Sequence, residues 1–180
     1  QYLPCHSKPA AYVPKEVMLF YGKTGLGKSR LAREIDPDLY CFPKTNNAWV
    51  DGYTGSKTLL FDDFNGGVRL CKMLMWLDVY PSQAEVKGSF VWLHHTRVII
   101  TTNTDVTEWW VDRSQAERDA FYRRITSITH FTQDDSGTLV KTEMKIHPRF
   151  KHLVTRAELE LEEKQNARQV GDALYYSLSQ

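Results

Sequence analysis

Gly22-Lys23-Thr24-Gly25-Leu26-Gly27-Lys28-Ser29 constrains this chain more than any other stretch. It fits the pattern G-x-x-x-x-G-K-[ST] and stands between a short apolar run, Val17 to Tyr21, and a segment of helical composition, Lys28 to Ile35, that Pro37 stops. Strand, glycine loop and helix in that order predict a cradle for phosphate. Glycines without Cβ let successive backbone amides curl round an anion, and the helix N-terminus adds partial positive charge. Lys28 is then placed to reach β and γ phosphates, and the Ser29 hydroxyl to ligate Mg²⁺. The bland alternative is a chance glycine turn ahead of a helix, and the elements on either side weigh against it.

Two more apolar runs end in polar residues. Thr58 to Phe61 runs into Asp62 and Asp63, and Val98 to Thr101 runs to Asn103. Both predict buried parallel strands with their polar residues just past the C-terminal ends. An Asp pair after a strand is by itself an ordinary turn start. Beside a phosphate loop it completes a triphosphate site, with Asp62 holding Mg²⁺ through water and Asp63 polarising the attacking water. Asn103 would hold that water or the γ phosphate if its strand neighbours the others; otherwise it starts an Asx turn.

Elsewhere, Val68 to Leu77 predicts a helix, and Gln83 to Lys87 with Phe90 to His94 predicts a hairpin turning at Gly88. Ile125 to Phe131 alternates like a strand, and Leu139 to His147 suggests another. Thr155 to Val170 is Glu-rich, a solvated helix or a partly disordered tail. Residues 1–16, with Pro4, Pro9 and Pro14, read as a linker from an absent upstream region; the chain starts at Gln1, which suggests a piece of something larger.

Length fits one domain at 180 residues, and a net charge of +1 leaves any nucleic-acid contact to local charge. No apolar run approaches the ~18 residues of a membrane span, so the expectation is a soluble, intracellular protein without a membrane partner. Cys5, Cys41 and Cys71 are an odd set without C-x-x-C, which predicts reduced structural thiols. His94 and His95 have no carboxylate or cysteine at metal-like spacing and read as strand-edge histidines. The five tryptophans read as core or subunit contacts, with Trp92, in the expected hairpin, the one exception to test.

From Val17 to Phe131 the chain resembles the superfamily 3 helicase domain of replication initiator (Rep) proteins from small circular single-stranded DNA viruses, the circovirus type in particular. The resemblance rests on the phosphate loop, Trp49-Val50-Asp51-Gly52-Tyr53, Leu60-Phe61-Asp62-Asp63-Phe64, Tyr80-Pro81, Val86-Lys87-Gly88, Ile99-Ile100-Thr101-Thr102-Asn103, Glu108-Trp109 and Tyr122-Arg123-Arg124-Ile125. It implies an α/β P-loop NTPase of AAA+-like type, with a central mostly parallel sheet, helices on both faces and a pore β-hairpin. It also implies an ATPase core at 17–131 and a C-terminal extension at 132–180 that matches nothing in the family.

Residue by residue, Walker A falls on Gly22 to Ser29, Walker B on Asp62 and Asp63, and the sensor on Asn103. The pore lysine falls on Lys87 beside Gly88, and the arginine finger on Arg124, with Arg123 second. The implied activity is ATP- and Mg²⁺-dependent unwinding of DNA, 3′ to 5′, by a homo-oligomeric ring, usually a hexamer, gripping single-stranded DNA in the host nucleus. Full-length relatives carry a covalently linked nicking domain with a His-x-His motif, which is absent here; Tyr12-Val13-Pro14-Lys15 has the nucleophile spacing but lies too close to the phosphate loop.

Two rival functions use the same loop. A small-molecule phosphotransferase would need an acceptor pocket and an arginine lid, and Asn103 and the hairpin are not what it requires. A nucleotide-dependent binding switch of the GTPase kind would carry N-K-x-D, and Asn103-Thr104-Asp105-Val106 does not match it.

Overall fold

The computed structural model describes residues 7–44 and 49–143. Cys5, the end of the run to His147 and the Glu-rich segment at 155–170 lie outside the described residues.

In chain order the elements are β1 (Glu16–Gly22), α1 (Lys28–Ile35), β2 (Tyr40–Cys41), β3 (Thr58–Phe61), α2 (Leu70–Leu77), β4 (Gln83–Val86), β5 (Ser89–Trp92), β6 (Arg97–Thr102), α3 (Gln115–Tyr122), β7 (Ser127–Gln133) and β8 (Leu139–Glu143). Six strands form one sheet in the order β2-β3-β6-β1-β7-β8, parallel except for β8, which runs antiparallel to β7. β4 and β5 pair separately as the expected hairpin, with Val86 opposite Ser89, the turn at Lys87-Gly88 and Gly88 at φ 78.

The parallel strands are apolar on both faces because both faces are covered. Val17, Leu19, Leu59, Phe61, Val98 and Ile100 pack into one cluster, with Met73 and Trp76 of α2 and Phe121 of α3. Their alternates Phe20, Leu60 and Ile99 pack on the other side with Ala32 of α1. A period of two along each strand therefore feeds two cores. Trp76 and Trp109 are core residues, whereas Trp49 is 37% exposed.

Three local features depart from expectation. α2 begins at Leu70, not Val68, because the Val68 carbonyl accepts a hydrogen bond from Trp110 Nε1 at 2.8 Å and Arg69 is extended at φ −56, ψ 133. α3 falls where apolar periodicity predicts no element, although another signal is in the sequence: Ser114 and Glu117 form a reciprocal capping box. β2 has two residues, too few for any periodicity to show.

The segment ahead of β1 lies against the hairpin end of the domain. The Val13 N–H donates to Val79 O at 2.8 Å, and Lys8 Nζ sits 5.5 Å from the Trp92 ring centroid. His95, 1% exposed, donates Nε2–H to Trp76 O at 2.7 Å. Its Nδ1 is buried without a partner among the described residues. Burial, with help from the Lys15 charge, pushes its pKa down from 6.5 to about 3.

Below pH 6.5 the unfolded chain therefore takes up a proton at His95 that the folded protein refuses, so stability is full above that value and falls as pH drops toward 3. Between pH 7 and pH 5 this one group should remove about 2 kcal/mol. Urea denaturation at the two values measures it. His95→Asn should flatten the dependence, and an undiminished dependence in that variant would assign it to another group.

Candidate functional site

Because β6 lies between β1 and β3, their C-terminal ends emerge side by side: Ile100 is level with Leu19 and with Phe61, and Thr102 with Tyr21. The phosphate-binding pattern, Asn103 and the two carboxylates thus leave one edge of the sheet in a row, as ligand sites in open α/β sheets do.

Gly22 has φ 150, and a Cβ built there would lie 2.3 Å from Phe131 O of β7, so only glycine lets β1 turn out of the sheet at this point. Gly27, at φ 81, is the left-handed N-cap of α1. Between them Leu26 packs into the core under α1 and anchors the loop, while Lys23, Thr24 and Gly25 stay exposed. Lys28 is 4% exposed and donates to Gly22 O at 2.7 Å and Lys23 O at 2.6 Å. Burial lowers its pKa, against the opposing pull of Asp63 and Asp62.

Ser29 Oγ donates to Asp62 Oδ1 at 2.5 Å, and Thr101 Oγ1 donates to the same oxygen at 2.9 Å. The Asp63 N–H donates in turn to Thr101 Oγ1 at 2.9 Å, so one threonine of β6 ties both aspartates. Asn103 Nδ2 donates to Thr24 Oγ1 at 2.9 Å, which puts the amide against the phosphate loop. Lys44 Nζ pairs with Asp63 Oδ2 at 2.8 Å.

These groups fit a magnesium nucleotide. The Ser29 hydroxyl and the Asp62 carboxylate converge, and both are the hard oxygen donors that Mg²⁺ takes, with water and phosphate oxygens completing its shell. The open space where a Gly25 Cβ would stand leaves the loop accessible to phosphate.

A family model described as RNA helicase matches residues 18–104. The replication-associated protein of beak and feather disease virus is 35% identical over 133 residues, covering 74% of this chain and 44% of that protein. Those of canary circovirus and porcine circovirus 2 are 37% and 34% identical, over 61% and 62% of this chain. This is a circovirus-like Rep helicase domain. The chain spans between 36% and 44% of the length of these three relatives.

Among the described residues, the others singled out in the sequence have no hydrogen bond or ion pair to the phosphate loop of the Rep domain. Lys87 and Gly88 are exposed at the hairpin tip, where the Lys87 N–H donates to Asp51 Oδ1 at 2.8 Å. Phe90, next to the tip and 59% exposed, carries no signal of its own in the sequence; the exposed side of a two-faced strand shows only once the other face is known. Arg123 is exposed at the C-cap of α3.

Arg124 donates to Ala120 O at 2.6 Å and to Asp78 Oδ2 at 2.8 Å. Burial of Asp78 works against ionisation, but hydrogen bonds from Arg124 and the Val79 N–H, with the Arg124 and Lys15 charges, hold its carboxyl below the usual range. Arg124 precedes β7, next to Thr126, whose N–H donates to Val17 O at 2.8 Å. That is the N-terminal edge of the sheet, and the strand from Val17 to Gly22 runs ~16 Å to the opposite edge. Thr101, Lys44 and Asp78 have no role assigned from the sequence, because each matters only through a partner distant in the chain.

Among the described residues no helix is long and apolar enough to cross a membrane.

Proposed function

We propose that this Rep domain is an ATP-driven motor that translocates on single-stranded DNA and unwinds duplex during replication of a small circular viral genome. One observation carries it: the phosphate loop, the aspartate pair and Asn103 meet at one sheet edge, while a separate hairpin presents an exposed lysine at its tip. The match to helicase and replication-associated proteins supports the same assignment.

Lys28 and the loop amides would hold the β and γ phosphates, and Ser29 with Asp62 would hold Mg²⁺. When bound, the metal offsets charge developing on the transferred phosphoryl. Asp63, with Asn103, orients water and takes its proton. Arg124, or failing that Arg123, acts on the site of a second copy, since it lies at the far edge of its own sheet; this requires a homo-oligomer, and a hexameric AAA+ ring is the form proposed. In the longer protein the domain would be joined to a nicking domain.

Lys87→Ala tests the DNA path. A lysine at a hairpin tip is a point charge for phosphates and not for base edges. Affinity for single-stranded DNA, stimulation of hydrolysis by DNA and unwinding should fall together on every sequence, and the log-log salt slope should shrink by ~0.7 for each phosphate no longer neutralised. Running single-stranded RNA in parallel identifies the preferred strand. Unchanged unwinding and salt slope would leave Lys87 an ordinary surface residue and remove the hairpin from the mechanism.

A further inference from the structure

We infer that Lys44 is a positioning residue for hydrolysis, holding the Asp63 carboxylate in the orientation from which it aligns water. This rests on the proposed role of Asp63.

The placement of Lys44 is built by the sheet. Tyr40 and Cys41 of β2 pair in parallel with Leu59 and Leu60 of β3. The same register continues past both strand ends: the Phe42 N–H donates to Leu60 O at 2.8 Å, and the Phe42 and Phe61 rings stack with centroids 4.4 Å apart at 16°. Two residues further along each chain, Lys44 meets Asp63 at 2.8 Å. A buried aromatic stack two residues back therefore sets where the ammonium stands.

Asp63 itself is held in an unusual state. It is one of two non-glycine residues at positive φ among the described residues, at φ 49, a left-handed conformation that persists where the surroundings enforce it. β6 enforces the backbone: the Asp63 N–H goes to Thr101 Oγ1 and the Phe64 N–H to Thr101 O. The side chain is held by Lys44, its one hydrogen-bond donor among the described residues. With Oδ2 taken by the ammonium, Oδ1 is left to accept from water. The two residues also line a cavity of about 230 Å³, shared with Asp62, Phe64 and Asn65, that gives water a place beside the carboxylate.

The pair is not there for stability. Its side chains are 60% and 49% exposed, and such ion pairs contribute little to folding. The hydrogen bond to Asp63 raises the Lys44 pKa and keeps the ammonium charged.

The experiment measures phosphate release at saturating Mg·ATP, and nucleotide affinity separately, for the full chain carrying Lys44→Ala, Lys44→Arg, Asp63→Asn, or Lys44→Ala with Asp63→Asn. Lys44→Ala should lower kcat by ~10-fold or more, since a misaligned reacting group costs rate and not binding. Affinity should stay within ~2-fold, Lys44→Arg should recover much of the rate, and Lys44→Ala should add no loss once Asp63 is asparagine.

Weakened binding at unchanged kcat would make Lys44 a phosphate ligand instead, and a raised kcat would make it a restraint on Asp63; either overturns the inference, as does an additive loss in the double variant. Turnover surviving near the parent level in Asp63→Asn would overturn the role of Asp63 itself. Failure at Lys44 alone leaves Asp63→Asn reduced to a small residual turnover, against which the double variant is read, so the two failures are distinguishable.

Discussion

Replacing Lys28 with alanine is expected to reduce ATP hydrolysis on the order of 10³-fold, close to abolition. The ammonium is the main side-chain charge available to the β and γ phosphates, and no other cation is buried in the loop to take its place. A second cost accompanies the first. Lys28 bridges the carbonyls of Gly22 and Lys23, so its removal also loosens the turn that leaves β1. Nucleotide affinity should therefore fall along with turnover. Thermal melting of the variant separates a loosened loop from a lost fold: a cooperative transition within several degrees of the parent is expected. Near-normal phosphate release in a folded Lys28→Ala protein would refute the phosphate-loop assignment.

Arg124→Ala should lower hydrolysis by ~10³-fold or more, the usual worth of an arginine finger, with little change in the affinity of one subunit for ATP. The reasoning is positional. Arg124 sits at the N-terminal edge of the sheet, and its own phosphate loop leaves the opposite edge, so the role proposed for its charge is on a second copy's nucleotide. The guanidinium is paired with Asp78, the two side chains being 28% and 33% exposed, and it also donates to Ala120 O, so turning it toward a neighbour means giving up both contacts. Mixed assemblies test the trans arrangement: Arg124→Ala and Lys28→Ala subunits combined should regain activity at boundaries that join an intact loop to an intact arginine. A verified mixed oligomer without such recovery would count against it, and Arg123→Ala run in parallel decides between the two neighbouring arginines.

The local parts of the fold were legible in the sequence because the signals that specify them are local. Runs of apolar residues ending at Gly22, Asp62 and Asn103 marked β1, β3 and β6, since strands buried on both faces need no polar alternate. The phosphate loop was legible because glycine is the residue that tolerates φ 150 and φ 81. α3, which has no clear apolar stripe, is not among the elements expected from the sequence, although Ser114 and Glu117 carry its capping signal.

Order in space was not legible. That β6 inserts between β1 and β3, bringing Asn103 and Thr101 to the phosphate loop and the aspartates, depends on which arrangement buries both sheet faces under α1 on one side and α2 and α3 on the other. No window of sequence contains that choice. Lys44 meets Asp63 through a two-residue strand too short to carry a pattern, and Arg124 stands at the opposite edge of the sheet from the glycine loop, the length of β1 away. The sequence alone determined where the glycine loop would turn and where the strands would end, because backbone freedom and apolar burial act on neighbours in the chain. Only the tertiary structure decided which of those residues share a site, because that follows from strand order, and strand order is settled by packing between elements far apart in sequence.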